Sequence, residues 1–439
     1  MKKLSNPKYE TVGNGVWVAT ESLPHVRSAS IGIYFDTGSR DETSETNGLS
    51  HFFAHMVFKG TKTLDPLDIV QRFEATGGQV NAYTSKEQTC FYGKIVDTEI
   101  KPALDALLDM VLDARFDKVD VEKEKEVVIE EIRSVDDSPD ELVYELFSQA
   151  AFGSHALGKP IAGTAKSVRS LTREMLVQHR EGARKHVPLA IVAVGRVDHA
   201  AIVEQVRKRF PLTPKGGKRI ESPHRGLGGL LRPVVPRNPA KFQIKHLVKQ
   251  KDVQQASVVM GGPACPWDSP QRFPLLLLHC ALGDGMSSKL FQNLREKHGL
   301  VYSIFSNPEF MAREGLFFIG FGTESKNLEK AVREIGRELA LLRKNGLTAK
   351  ELDLAKKNVI GGILLGLEST SNRMSSLARR VLGQNPNETL EEIIARIEAV
   401  TRADILNCAK ELLHPNRWSS AAVLPKGVKA DLGAMLAKA

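Results

Sequence analysis

Two histidines lie four residues apart in the segment GLSHFFAHMVFKG, which occupies residues 48–60. On a helix, His51 and His55 project from the same face, and this spacing lets two imidazoles bind one zinc ion. The phenylalanines and the methionine of this segment supply apolar packing around the pair. Surface histidine pairs at this spacing are also common, so the pair indicates a zinc site only if a third ligand and a water-activating group exist elsewhere.

An acidic helix supplies candidates for the third ligand. Glu124, Val127, Val128 and Glu131 fall at positions i, i+3, i+4 and i+7, so they share one helical face, which we expect to point inward. Two carboxylates on a buried face are unfavourable unless they bind a metal ion or a charged partner. Glu131 and Glu124 are therefore candidate metal-site residues, whereas Glu130 falls on the opposite, polar face.

An internal repeat sharpens this choice. The segment FDKVDVEKEKEVVIEEI, which starts at residue 116, aligns without gaps with LTAKELDLAKKNVIGGI, which starts at residue 347. In the second copy Ala355 stands at the position of Glu124, and Gly362 stands at the position of Glu131. The repeat predicts a duplicated chain in which only the first half is equipped for metal.

Each half alternates strands with helices, and we predict an α+β fold made of two homologous α+β domains, with helices packed on one face of a mainly antiparallel sheet. Residues 28–35 alternate in polarity, as expected of a half-buried strand. Further strands are predicted at 89–96 and 315–322, and helices at 100–114, 119–135, 326–344 and 348–367. The predicted domains are residues 1–215, which bind zinc, a Pro/Gly-rich basic linker at 216–239, and residues 240–439, which lack metal ligands.

Composition limits the range of partners. The net charge of +9 is more than accounted for by residues 205–251, which hold thirteen Lys/Arg and a single acid, Glu221. This segment lacks the aromatic interleaving that stacks bases, so we expect a solvated linker and no nucleic-acid partner. No apolar run reaches the roughly 18–20 residues of a membrane-spanning helix. The N-terminus lacks an apolar signal segment and the four cysteines form no C-x-x-C pair, so we expect reduced thiols and a cytoplasmic location.

Several segments together resemble one enzyme family. Residues 48–61 resemble the zinc helix of the inverzincin peptidases, whose motif is His-x-x-Glu-His. The tetrapeptide NAYT at 81–84 resembles the substrate strand of these enzymes, and REKHGLVY at 295–302 resembles their second-domain substrate motif. The chain is thus similar, over nearly its whole length, to the pitrilysin, insulin-degrading and mitochondrial-processing peptidase family, particularly its short bacterial members.

The resemblance implies roles for the matching residues. His51, His55 and Glu131 would bind one zinc ion per chain, and Glu124 would be the acid that accompanies the ligands. A peptide would add as a strand to the sheet edge, and two identical chains would pair as a clamshell that encloses a chamber. The implied substrate-binding residues are Asn81, Ala82, Tyr83, Thr84, Arg295 and Tyr302, of which Arg295 and Tyr302 would bind the substrate carbonyl.

Position 54 departs from the family pattern. The family has a glutamate there, which takes a proton from zinc-bound water, and this chain has Ala54. Because the metal ligands and the Arg–Tyr pair are all retained, we interpret Ala54 as a deliberate inactivation of a zinc endopeptidase. The alternative is a natural non-catalytic subunit, structural or regulatory, of a peptidase complex.

Overall fold

Two β-sheets, one from each half of the sequence, organise the protein. The computed structural model describes residues 7–210, 237–383 and 389–439, so most of the predicted linker lies outside the described residues. The first sheet has six strands in the order β1-β2-β6-β3-β5-β4, of which only the β2–β6 pair is parallel. These strands are β1 (Lys8–Val12), β2 (Val16–Ser22), β3 (Ser28–Phe35), β4 (Gln79–Thr84), β5 (Thr89–Val96) and β6 (Leu189–Gly195).

The second sheet repeats this plan with five strands in the order β7-β11-β8-β10-β9, and again one pair, β7–β11, is parallel. Its strands are β7 (His246–Lys251), β8 (Ala256–Ala264), β9 (Ser303–Phe310), β10 (Gly315–Thr323) and β11 (Ser419–Pro425). The two sheets have matching strand orders, which agrees with the internal repeat that the sequence predicts.

Helices cover both sheets. The first-half helices are α1 (Leu49–Met56), α2 (Pro66–Glu74), α3 (Ile100–Asp113), α4 (Lys118–Asp137), α5 (Pro139–Phe152), α6 (Ala165–Ser170), α7 (Arg173–His186) and α8 (His199–Arg209). The second-half helices are α9 (Arg272–Gly283), α10 (Leu328–Asn345), α11 (Ala349–Gly366), α12 (Thr370–Val381), α13 (Leu390–Ala399), α14 (Arg402–Leu412) and α15 (Leu432–Ala437), together with a π-helical turn at Phe291–Lys297.

The two compact units do not follow the halves of the sequence. The first unit draws its described residues from Met1–Ile132, Pro160–Arg237 and Leu365–Asn387, and the second contains the remainder. Helix α12 therefore packs on the first sheet, and helix α5 packs on the second. The compact units therefore differ from the predicted contiguous domains 1–215 and 240–439. Each of these two helices belongs to the unit whose sheet it covers, whatever its place in the chain.

The sequence predicted the element types well and one burial pattern poorly. The predicted α+β class is confirmed, and strands β3, β5 and β10 and helices α3, α4, α10 and α11 all form within two residues of their predicted bounds. Strand β3 is not half-buried as its alternation predicted, because Ser30 and Tyr34 on its second face are also buried. Helix α12 covers that face: Met374 joins Tyr34 in one apolar cluster, and the Thr370 hydroxyl lies 2.8 Å from Ser30 Oγ.

Two further properties follow from the described elements. No described helix combines the length and the apolar content that crossing a membrane requires. The four cysteines are free thiols, and three of them, Cys90, Cys280 and Cys408, are buried.

Candidate metal centre

The residue just before α1, Gly48, has a backbone conformation that glycine adopts more readily than other residues. Gly48 has φ +95°, and a side chain there would meet the carbonyl oxygen of Ala162. The carboxylate of the half-buried Glu42 accepts hydrogen bonds from the amide of Gly48 at 2.8 Å and from the amide of Ser50 at 2.7 Å. A carboxylate at this end of a helix accepts hydrogen bonds from amides that lack helical partners, and its negative charge interacts favourably with the positive end of the helix dipole. The first turn, which carries His51, is thereby fixed.

Three side chains from α1 and α4 converge. One oxygen of Glu131 lies 3.9 Å from His51 Nε2 and 3.4 Å from His55 Nε2. One candidate ligand atom from each of the three residues lies within 4.8 Å of the other two. Tetrahedral zinc with bonds of about 2.0–2.2 Å places its ligand atoms roughly 3.4 Å apart, so this donor set fits zinc with small adjustments. Within the described part of the chain this is the one such His/Cys/Asp/Glu group.

The protonation of His51 also suits a metal ligand. Burial, and then the neighbouring charge of His55, lower the pKa of His51 to about 4. The imidazole is therefore neutral at neutral pH, and a neutral imidazole is the form that binds zinc. Its Nδ1 atom is buried and has no hydrogen-bond partner among the described residues.

Glu124 orients the second histidine. Its carboxylate is 5% exposed, lies 3.0 Å from His55 Nδ1, and accepts a salt bridge of 2.6 Å from Lys59 Nζ. Burial raises the pKa of Glu124, but the hydrogen bonds from His55 and Lys59 outweigh burial and leave the pKa lowered. An ionised carboxylate only accepts, so this contact favours a proton on His55 Nδ1, while Nε2 is the ring nitrogen that faces Glu131.

Glu131 reaches the centre from an exposed position. The prediction that its whole helical face points inward is wrong, because the Glu131 side chain is 45% exposed and Val127 is exposed as well. The buried side of α4 is centred on Val121, Val128 and Ile129, and Glu131 lies beside it at the open edge. Hydrophobic periodicity located this helix face only approximately, whereas the motif spacing identified the residue that joins the cluster.

Ala54 lies beside the histidine pair and contributes no polar atom. Helical geometry of about 100° per residue places His51, Ala54 and His55 within one arc of roughly 100° on α1. Ala54 is buried in the apolar core of the first unit. The position next to the ligands therefore carries a methyl group, and no carboxylate from it faces the cluster.

The predicted substrate strand is an edge strand. Residues 81–84 lie in β4, which pairs with β5 and has no second partner strand among the described residues. The Thr84 hydroxyl donates to the carbonyl of Ser50 at 3.3 Å, which ties the strand to α1. Of the other predicted residues, Asn81 accepts from the amide of Ala82 at 2.8 Å, and the Tyr83 hydroxyl donates to Gln88 at 2.8 Å.

Arg295 and Tyr302 come together in the second unit. The guanidinium of Arg295 lies 5.4 Å from the Tyr302 ring centroid and 4.8 Å from that of Phe291. Tyr302 is 72% exposed and Arg295 is exposed as well, so both side chains are accessible from solvent. The structure thus brings this predicted pair into contact.

Sequence reasoning missed two polar residues that support the metal helix. Lys59 lies four residues after His55, in the turn that follows α1, and pairs with Glu124, whereas Glu42 holds the start of α1. The i+4 spacing of Lys59 was a usable signal. Glu42 had none, because its role depends on a loop that folds back onto the helix.

The fold and the donor set define a metallopeptidase-type centre. Comparison with known proteins agrees: residues 17–165 match the family model "Insulinase (Peptidase family M16)", and residues 171–359 match "Peptidase M16 inactive domain". The chain belongs to peptidase family M16. The second match agrees with a second half that supplies none of the three candidate metal ligands.

Similar proteins match nearly the whole chain. An uncharacterized zinc protease of Bacillus subtilis, YmxG, is 36% identical over 420 residues, covering 96% of this chain and 98% of the relative. An uncharacterized zinc protease of Mycobacterium bovis is 35% identical over 430 residues, covering 97% of this chain and 95% of the relative. A protease from Helicobacter pylori of known structure shares the fold with a TM-score of 0.85 at 23% identity, over 96% of this chain and 100% of its own.

Proposed function

We propose that this chain has the architecture of a zinc-dependent endopeptidase that holds one zinc ion and binds peptides, and that Ala54 makes it hydrolytically inactive. The observation that supports this is the convergence of His51, His55 and Glu131 beside a position that carries only a methyl group. When bound, zinc supplies a Lewis acid for a peptide carbonyl and lowers the pKa of a bound water toward neutrality.

The chain's own residues would do the following. Neutral His51 offers a lone pair, and Glu124 retains the proton on His55 Nδ1, so both Nε2 atoms are directed at the metal. Proton transfer from water to a leaving amine needs a side chain with acid–base chemistry, and Ala54 has none. We therefore propose that peptide binding and zinc binding persist while cleavage is lost.

A peptide substrate would add to the edge of β4. Main-chain hydrogen bonds to an edge strand supply affinity with little demand on sequence, which suits a peptidase of broad specificity. The residues implied in this role are Asn81, Ala82, Tyr83 and Thr84. Arg295 and Tyr302 would bind the substrate carbonyl, since a guanidinium and a phenol are both donors to an oxygen that gains negative charge. We propose a homodimer, because one chain carries both the zinc motif and this pair.

The decisive experiment restores the missing carboxylate. Ala54→Glu is expected to cleave unstructured peptides in a mass-spectrometric library assay, with activity abolished by a chelator and regained with zinc. The double variant Ala54→Glu/Glu131→Gln is the matched control and is expected to be inactive. Metal analysis of the unmodified chain should give one zinc per chain. A revertant that binds zinc and cleaves no peptide would contradict the proposal.

A natural non-catalytic subunit is the second candidate, and Ala54 itself favours it. Such a subunit would act by binding a catalytic homologue. Co-purification with an active partner from native extract, together with a revertant that stays inactive although it holds zinc, would favour this candidate.

A further inference from the structure

Arg237, the first described residue after the segment that joins the halves, belongs to the interior of the first unit. Its side chain is 4% exposed. Nε donates to Asp41 Oδ1 at 3.0 Å, and Nη2 donates to Asp41 Oδ2 at 2.9 Å, which is a two-pronged pairing. Nη1 donates to Asp36 Oδ1 at 3.0 Å. One guanidinium therefore holds two acids of the loop between β3 and α1.

The same guanidinium joins this loop to the turn between β4 and β5. Nη2 also donates to the carbonyl of Asp36 at 3.1 Å and to the carbonyl of Glu87 at 2.9 Å. A backbone bond of 3.1 Å from the amide of Ser39 to the carbonyl of Ser85 runs alongside. All three guanidinium nitrogens are engaged, in a planar arrangement that an ammonium group does not reproduce.

The charges in this cluster depend on one another. Burial raises the pKa of Asp36, and the adjacent Arg237 charge opposes that rise. Burial lowers the pKa of Arg237, but the hydrogen bond to Asp41 and the charges of Asp36 and Asp41 raise it by more than burial lowers it. The net pKa is therefore raised, and the guanidinium stays charged. Removing a buried partner would leave an uncompensated charge in the interior, so the cluster fixes the loop firmly in place.

Both segments that Arg237 holds lead directly to the metal helix. The loop continues from Asp41 into Glu42, whose carboxylate accepts from the amides of Gly48 and Ser50. The turn follows β4, whose Thr84 hydroxyl donates to the carbonyl of Ser50. Ser50 is therefore bound from both sides, and it immediately precedes the ligand His51.

We propose that Arg237 is a positioning residue for the metal centre: it clamps the β3–α1 loop to the β4–β5 turn and so fixes the first turn of α1. This inference rests on the proposed zinc site. On this proposal, the end of the segment that joins the halves contributes to the zinc-binding unit, although Arg237 is far in sequence from every candidate ligand.

The first test is Arg237→Lys, which keeps the positive charge and loses the fork of donors. Zinc affinity, measured by competition with a fluorescent chelator, is expected to fall about tenfold, as for other residues that orient metal ligands. The matched control is Arg27→Lys, because Arg27 pairs with Asp97 at 3.1 Å in the same unit but is 74% exposed. Its zinc affinity should stay within about twofold of the unmodified chain.

The second test separates positioning from general stability. Amide hydrogen exchange of the unmodified chain should show slow exchange at Gly48 and Ser50. Arg237→Lys should speed exchange at these amides while leaving those of Ile31 and Val192 in the sheet unchanged. Asp41→Asn, which disturbs the same cluster more mildly, should act in the same direction and provides a second variant if the lysine variant does not fold.

The outcomes are distinguishable. An unmodified chain that binds no zinc would contradict the proposed metal site itself. An unmodified chain that binds zinc, with Arg237→Lys and Asp41→Asn both within twofold of it, would overturn only the role of Arg237. Fast exchange of Gly48 and Ser50 in the unmodified chain would also overturn that role.

Discussion

Helices α4 and α11 occupy corresponding places in the repeat and differ where the metal chemistry lies. Glu124 in α4 and Ala355 in α11 are both buried, at 5% and 3% exposure. Glu131 in α4 is exposed, and at Gly362 in α11 an added side chain would meet no atom within 4 Å. Each pair of positions thus shares its environment although the residues differ.

The difference shows that the repeated fold forms without carboxylates at these two positions. A buried carboxylate is tolerated at position 124 only because His55 and Lys59 pair with it. In the second half an alanine fills the corresponding buried position without charge. Space does not prevent a carboxylate at Gly362, so the lack of a counterpart to Glu131 at this position is a property of the sequence.

Each sheet has one face that is covered by a helix from the other half of the sequence. Helix α12 covers Trp17, Tyr34 and Val192 of the first sheet, and helix α5 covers Val259 and Phe318 of the second. Each unit is completed by a helix from the other half of the sequence. This symmetry predicts that neither half of the chain can complete its unit alone.

Separating the halves is expected to have the largest effect. Fragments 1–225 and 226–439, expressed alone, should be insoluble or lack cooperative unfolding, because each leaves a large apolar sheet face uncovered. Co-expression should give a soluble complex on size-exclusion chromatography. As a control, fragment 1–225 fused through a flexible linker to residues 365–383 should unfold more cooperatively than fragment 1–225 alone, because α12 then covers the first sheet while only α5 stays uncovered. A cooperatively folded, monomeric fragment 1–225 would refute the role of the exchange.

Placing a carboxylate in the second copy should destabilise the protein strongly. Ala355→Glu places in α11 the residue that α4 has at position 124, but without the histidine and lysine that pair with Glu124. Burying this unpaired charge should lower the free energy of unfolding by about 3 kcal/mol or more. Urea denaturation checks this. Leu354→Glu, on the same helix at 55% exposure, should change it by less than about 0.5 kcal/mol. Equal effects of the two substitutions would contradict the comparison.

The converse substitution should affect zinc more than folding. Glu124→Ala gives α4 the residue of α11 and releases His55 Nδ1, so zinc affinity should fall about 10- to 100-fold in a chelator competition. Glu122→Ala is the control, because Glu122 is an exposed acid of the same helix that pairs with Lys125 at 2.8 Å. Unchanged zinc affinity in Glu124→Ala would show that this carboxylate does not orient the ligand.

The smallest expected effect is a stabilisation. Gly362→Ala adds a methyl group into open space within α11 and should raise the free energy of unfolding by about 1 kcal/mol through helix propensity. Gly346→Ala is the opposite control, since Gly346 has φ +64° and the substitution should destabilise. Thermal and urea unfolding of both variants measure the difference in sign.

The sequence by itself predicted the elements, the duplication and the candidate metal ligands. Periodicity and turn residues predicted strands such as β3 and helices such as α4 because local hydrogen bonding and side-chain alternation act over a few residues. The spacing of His51 and His55 is likewise a local property of one helix. Glu131 was placed by motif resemblance, and its proposed burial was wrong because periodicity does not say where a helix meets an opening.

Only the tertiary structure decided what surrounds these elements. Strand β3 is buried on both faces because α12, more than 330 residues later in the chain, covers it. Glu42 and Arg237 support α1 through a loop and a buried ion cluster that unite three distant segments. Such contacts depend on which surfaces meet in space, and no local pattern of residue types encodes that meeting.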